Sequence, residues 1–190
     1  MSNLVTVDSL TIPGILNNIS FDIAPGERVG LIGESGSGKS MTAMTIMGLL
    51  HPSLEVQGTV LVKGQEPSRA LRGNTVAMIF QEPMTALDPL MSVEKQVAQA
   101  CGLERARELL HEVGITRTGA YPHELSGGQR QRVLIALAIA GDPDLLICDE
   151  PTTALDVTVQ RQILELLDRL VRERGMALLF ITHDLGVIRQ

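Results

Sequence analysis

Two hydrophobic rhythms alternate along the chain. Apolar and polar positions alternate at residues 4–7 and 19–23, with Pro13-Gly14 and Pro25-Gly26 as punctuation, which predicts short strands joined by turns. They have the pattern of an antiparallel edge layer. Residues 28–32 form a compact apolar run that stops at Gly33, and a glycine-rich turn then leads into a helix-like stretch from Lys39 through Leu50. That is strand, loop, helix. Residues 58–62 and 75–79 are further β-type runs, and the pattern turns helical at 92–99 and 104–113. Ser126 is placed as the N-cap of a long helix ending near Gly141. Residues 145–148 are apolar without alternation, as expected of a strand buried on both faces of a parallel sheet. An amphipathic helix over 157–174, closed by Gly175, precedes a second buried strand at 177–181 that ends in Thr182-His183.

Strands alternating with helices predict an α/β domain with a mostly parallel sheet, preceded by the antiparallel β layer and interrupted by a helical subdomain at roughly residues 82–140. A length of 190 residues suits one such domain. Hydrophobic content of 44% with 20% charged residues is ordinary globular composition, far from that of a disordered chain. A net charge of -6 argues against a broad nucleic-acid surface, which needs a basic excess, so no nucleic-acid partner is expected. The longest apolar run, residues 133–140, is far below the roughly 18 residues that would span a bilayer. Any membrane role is expected to be indirect. The first eleven residues carry no Lys or Arg and no long apolar core, unlike a secretory signal. Cys101 and Cys148 fit neither a metal spacing nor a disulfide framework, which favours the cytosol.

Gly33-Glu34-Ser35-Gly36-Ser37-Gly38-Lys39-Ser40 matches G-x-x-x-x-G-K-[ST] and lies where a P-loop must, after a buried strand and at the start of a helix. The glycines let consecutive backbone N–H groups face a β-phosphate, and the helix N-terminus adds positive charge. Lys39 is placed to reach the β- and γ-phosphates and Ser40 to offer its hydroxyl to Mg²⁺, while Met41 supplies a backbone N–H. The motif therefore predicts a bound nucleotide with Mg²⁺. Asp149 and Glu150 end a buried strand at the edge where ligands sit in open α/β sheets. Asp149 is expected to hold the metal and Glu150 to orient and deprotonate the attacking water. His183 follows the next buried strand and emerges on the same edge, within reach of a γ-phosphate; Gln81, ending its own strand, reaches the same metal. Cys148 is expected to pack in the core.

In this order these residues resemble the ATP-binding cassette family, the nucleotide-hydrolysing subunits of ATP-driven transporters, over nearly the whole chain. The resemblance makes residues 33–40 the Walker A motif, Gln81 the start of the glutamine loop, Leu125-Ser126-Gly127-Gly128-Gln129 the signature, residues 145–149 with Glu150 the Walker B motif, Ala154-Leu155-Asp156 the D-loop and His183 the switch histidine. More narrowly, residues 81–89, 121–124 and 182–188 look like the oligopeptide, dipeptide and nickel importer branch. The resemblance implies a head-to-tail pair of ATPase domains, identical or sister subunits, in which the signature of one closes over the nucleotide of the other. It also implies membrane permease partners, an extracytoplasmic solute-binding protein and a peripheral location on the cytoplasmic face of the membrane. Family members usually stack an N-terminal aromatic on adenine, but no aromatic precedes Phe21, itself a core strand residue in this reading. Ile12, Pro13 or Ile15 takes that place, and weak base discrimination follows. The chain stops soon after His183 and its helical insertion is short beside peptide-importer relatives, which leaves an inactive ATP-binding module as the alternative function. DNA-repair members are disfavoured by the lack of long heptad runs, ribosome-acting members by the single P-loop, and GTPases by the lack of Asn-Lys-x-Asp.

Overall fold

The computed structural model describes residues 3–81, 86–153 and 155–183. Two sheets carry the fold. The first is antiparallel, in the order β2(Leu16–Ile23), β1(Val5–Ile12), β4(Gln57–Val62). The second is parallel, in the order β3(Arg28–Ile32), β7(Ala177–Thr182), β6(Leu145–Asp149), β5(Val76–Ile79). Helix α1(Lys39–Ile46) lies between the two sheets, while α2(Val93–Cys101) and α3(Leu103–Glu112) pack against α4(Gly127–Ile139), which with α5(Val157–Arg174) covers the opposite face of the parallel sheet.

The uninterrupted apolar runs are explained by what each face meets. In β5 and β6, Ala77, Ile79, Leu146 and Cys148 point into the core shared with α2 to α5. Their neighbours Val76, Met78, Leu145 and Ile147 join the core of α1 and the antiparallel layer. Period-two side chains meet apolar partners on both sides, so every position of β6 is buried. The central parallel strands, the antiparallel layer and the helical insertion agree with the α/β class expected from the sequence.

The first two strands are longer than the alternation suggested. β1 runs on through Asp8 and Ser9, where the register with both neighbours shifts and Ser9 takes φ 55. That bulge breaks the two-residue rhythm, so the pattern stops at Val7 although the strand does not. A Cβ on Gly58 of β4 would lie 2.5 Å from the Ser9 carbonyl oxygen, so the close approach of β4 to the bulge needs a glycine.

β3 corrects another expectation. It was expected as a buried strand, yet it alternates exposed and half-buried positions. Among the described residues it is the edge of the parallel sheet, paired with β7 alone. A groove of about 800 Å³ runs between it and α5, floored by Val29, Leu167 and Phe180 and rimmed by Arg28, Asp168 and Arg172. Helix α1 ends at Ile46 rather than Leu50, because Gly48 turns back with φ 62 against the Pro67 carbonyl. The helical insertion is pinned through the end of α3. Arg132 of α4 donates to the Val113 carbonyl at 2.9 Å, and Arg169 of α5 donates to that of Glu112 at 2.9 Å. Arg174 pairs with the Glu112 carboxylate at 2.7 Å and also with Asp142. These cations meet the carbonyl-rich end of the helix, where its dipole favours positive charge. Among the described residues, no helix is long and apolar enough to cross a membrane.

Candidate functional site

The four parallel strands end in register, and each delivers one element of the site at its carboxyl end. Ile32 pairs with Thr182, Asp149 with Ile181, and Ile79 with Cys148. The residues that follow are therefore neighbours in space: Gly33 after β3, His183 after β7, Glu150 after β6 and, two residues beyond Ile79, Gln81. This is the edge at which ligands bind in open α/β sheets.

The P-loop, residues 33–40, wraps onto α1. Gly38 is the N-cap of that helix at φ 88, and a Cβ there would lie 2.3 Å from Cδ2 of Leu16 and 3.1 Å from the Ile15 carbonyl. The β1–β2 turn thus presses against the loop, and only glycine fits between them. Lys39 is 8% exposed, and its ammonium donates to the carbonyls of Gly33 at 2.8 Å and Glu34 at 2.7 Å. The cation is held inside its own loop. Ser37 closes the turn by donating its N–H to the Glu34 carbonyl at 3.2 Å, while Ser35 and Gly36 are exposed. Ser40 and Met41, in the first turn of α1, are half-buried.

Asp149 lies under the loop, 5% exposed, with Oδ1 buried and lacking a hydrogen-bond partner among the described residues. Burial pushes its carboxyl above the usual carboxylate range, while the Ser40 hydroxyl and the Lys39 charge pull the other way. A buried, unpartnered carboxylate oxygen beside a serine hydroxyl fits a hard divalent cation, which takes oxygen ligands and keeps other positions for water and phosphate. Among the described residues no group of three or more His, Cys, Asp or Glu gathers as an all-protein metal cage.

Glu150 takes φ 46, a left-handed conformation unusual for a residue with a Cβ. Its N–H donates to the Ile181 carbonyl at 3.0 Å, and its side chain is held from three directions. His183 Nδ1 lies 2.9 Å from Oε1, Gln81 Nε2 lies 3.2 Å from Oε2, and Thr153 Oγ1 lies 2.9 Å from Oε2. Burial raises this carboxyl, but the hydrogen bonds from His183 and Thr153 and the nearby positive charges outweigh it and hold it below the usual range. An ionised carboxylate only accepts, so Nδ1 of His183 carries the proton of that bond. Gln81, Glu150 and His183, which the sequence marked separately, form one hydrogen-bonded group. Thr153 was missed; the one local signal was a hydroxyl three residues after Glu150 in a Pro-Thr-Thr turn.

Ser126, Gly127 and Gln129 are exposed at the N-terminus of α4, Gly128 is half-buried, and Leu125 is buried. Ser126 caps the helix as expected: its Oγ accepts from the Gln129 N–H at 3.3 Å, and Gln129 Oε1 accepts from the Ser126 N–H at 2.9 Å. Asp156 caps α5 by accepting from the Val159 N–H at 3.0 Å. Of the expected adenine contacts, Ile12 is excluded, since it is 1% exposed in the core beneath the antiparallel layer. Pro13 and Ile15 stay exposed on the turn beside the P-loop. Phe21 packs half-buried against that core, as expected. The expectations for Glu82 to Thr85, Ala154 and Asp184 to Ile188 lie outside the described residues.

The sequence profile of the family described as ABC transporter matches residues 16–153, a stretch that runs from the turn beside the P-loop through Glu150. The chain belongs to the ABC transporter family. Among ABC relatives, the peptidoglycan transport ATP-binding protein YejF of Agrobacterium fabrum is 54% identical across 92% of this chain and 36% of its own length. The dipeptide transport ATP-binding protein DppD of Lactococcus lactis is 45% identical across 91% of this chain and 56% of its own. The chain therefore spans less than two thirds of these ABC proteins. In three dimensions it is similar to the ATP-binding cassette MJ0796, a dimer in a post-hydrolysis state bound to ADP and Pi, with a TM-score of 0.82 and 29% identity over 97% of this chain and 90% of that one.

Proposed function

We propose that the chain is the ATP-hydrolysing unit of an ABC importer for peptides or nickel, and the observation that carries this reading is the convergence of Gln81, Glu150 and His183 at the strand ends beside the P-loop. ATP binds with its phosphates against the backbone N–H groups of residues 33–41, and Lys39 exchanges its loop carbonyls for phosphate oxygens. Ser40, Asp149 and Gln81 would hold Mg²⁺, which would supply positive charge against the phosphate oxygens. Glu150 orients a water against the γ-phosphorus. A P–O bond forms as the bond to the β–γ bridging oxygen breaks, the water proton passes to the Glu150 carboxylate, and ADP and phosphate result. His183 donates to the γ-phosphate, and Asp156 belongs to the loop that faces the partner.

A second cassette completes the site. Leu125, Ser126, Gly127, Gly128 and Gln129 present N–H groups and a helix N-terminus outward, which suits them to close on a γ-phosphate held by another copy or a sister subunit. The dimer structure of MJ0796 and the transport names of the relatives support this arrangement. The assembly sits peripherally on the cytoplasmic face of the membrane, with permease subunits reading the helical insertion and a solute-binding protein outside. Steady-state ATPase assays of the full chain and its Glu150→Gln variant test the reading. Loss of a general base lowers turnover about 10²- to 10⁴-fold, with ATP-dependent dimerisation preserved; unchanged hydrolysis in the variant overturns it.

A further inference from the structure

We infer that Thr153 is the positioning residue for Glu150, and that its hydroxyl fixes Oε1 as the carboxylate oxygen that meets the attacking water. The inference rests on the proposed role of Glu150 as general base. Three donors share this carboxylate, and they differ in what else is asked of them. Gln81 comes from the end of β5 and His183 from the end of β7, and in the proposed function each turns to another partner, the metal and the γ-phosphate. Thr153 is given no second partner in that reading.

Thr153 also belongs to the same turn as the group it holds. Its N–H donates to the Glu150 carbonyl at 3.3 Å, and its Oγ1 lies 2.9 Å from Oε2. Both bonds are local, so they move with Glu150 when the strand ends shift relative to one another. The left-handed backbone at Glu150, φ 46, turns the chain so that the hydroxyl three residues on can reach back to the side chain. With Oε2 held by Thr153, release of His183 to a γ-phosphate bares Oε1 and leaves the carboxylate plane unchanged. Without Thr153, release of Gln81 and His183 leaves the carboxylate free to rotate, and misaligned groups react more slowly.

Thr153 is exposed, so truncating it opens no cavity and leaves the fold intact. Thr153→Val removes the hydroxyl at constant shape, and Thr153→Ser keeps it. Under the inference, Thr153→Val lowers kcat about 5- to 30-fold, less than loss of the base itself. KM for ATP and the affinity for a fluorescent ATP analogue stay at the wild-type values, Thr153→Ser restores kcat, and Thr153→Val adds no loss in a Glu150→Gln background. Wild-type kcat in Thr153→Val overturns the inference, as does an equal loss in Thr153→Ser. So does weakened nucleotide binding or dimerisation in Thr153→Val that accounts for the loss, since this marks an interface role. Full activity in Glu150→Gln instead overturns the general-base reading.

Discussion

Gly128 and Val159 meet so closely that a Cβ on Gly128 would stand 2.5 Å from Cγ1 of Val159. The contact joins the first turn of α4 to the first turn of α5, so the exposed Ser126 end and the Asp156 cap are held as one surface. Valine is stiff at χ1 and cannot swing clear. Gly128→Ala is expected to destabilise the protein by about 1–3 kcal/mol, and adding Val159→Ala to recover most of the loss. Urea denaturation of both variants checks this. An undiminished midpoint in the single variant would show that the helices part without cost.

The turn beside the P-loop offers a nucleobase only apolar contact. Ile15 is 38% exposed there, and its carbonyl lies 3.1 Å from where a Cβ on Gly38 would be. An apolar seat discriminates poorly between purines, so ATP and GTP should bind within about 5-fold of each other. Ile15→Tyr should tighten both by stacking. Fluorescence titration with each nucleotide measures the ratio; a strong preference for ATP in the wild type contradicts the assignment of this seat.

Gln131 is 1% exposed in α4, and among the described residues neither its Nε2 nor its Oε1 has a hydrogen-bond partner. A buried amide in that state costs about 1–3 kcal/mol. Gln131→Met, of similar length and without hydrogen-bonding needs, is expected to raise the urea midpoint. A lower midpoint would mean that the amide is satisfied in solution.

Cys148 is fully buried on β6, and burial pushes its thiol well up. Cys101 is half-buried at the end of α2, with Sγ 3.4 Å from the Val97 carbonyl. A thiol reagent should therefore modify at most one of the two cysteines in the native protein and both in urea. Counting the released chromophore in each state decides it; two fast native thiols would refute the burial of Cys148.

Much of the fold and of the site was legible in the sequence because the information was local. Residues 33–40 carry their loop geometry in their own glycines, and Ser126 and Gln129 satisfy each other within one helical turn. The unbroken apolar run at β6 showed that both faces would be covered. The bulge at Ser9 was hidden because register is a property of strand pairs, and β1 pairs on both sides. The exposure of β3 was hidden for the same reason: a strand's own residues do not say whether a second neighbour lies beside it.

The sequence by itself determined which side chains are on offer at the candidate site, since residue identity and spacing along one strand or helix fix the donors, acceptors and charges available. Only the tertiary structure decided that Gln81, Glu150 and His183 share hydrogen bonds, because the parallel pairing of β5, β6 and β7 sets their distances. It alone buried Ile12 beneath the antiparallel layer and turned Glu150 to φ 46 against Thr153. Those outcomes depend on how sheets and turns meet in space, where contact energies between distant residues outweigh local preference.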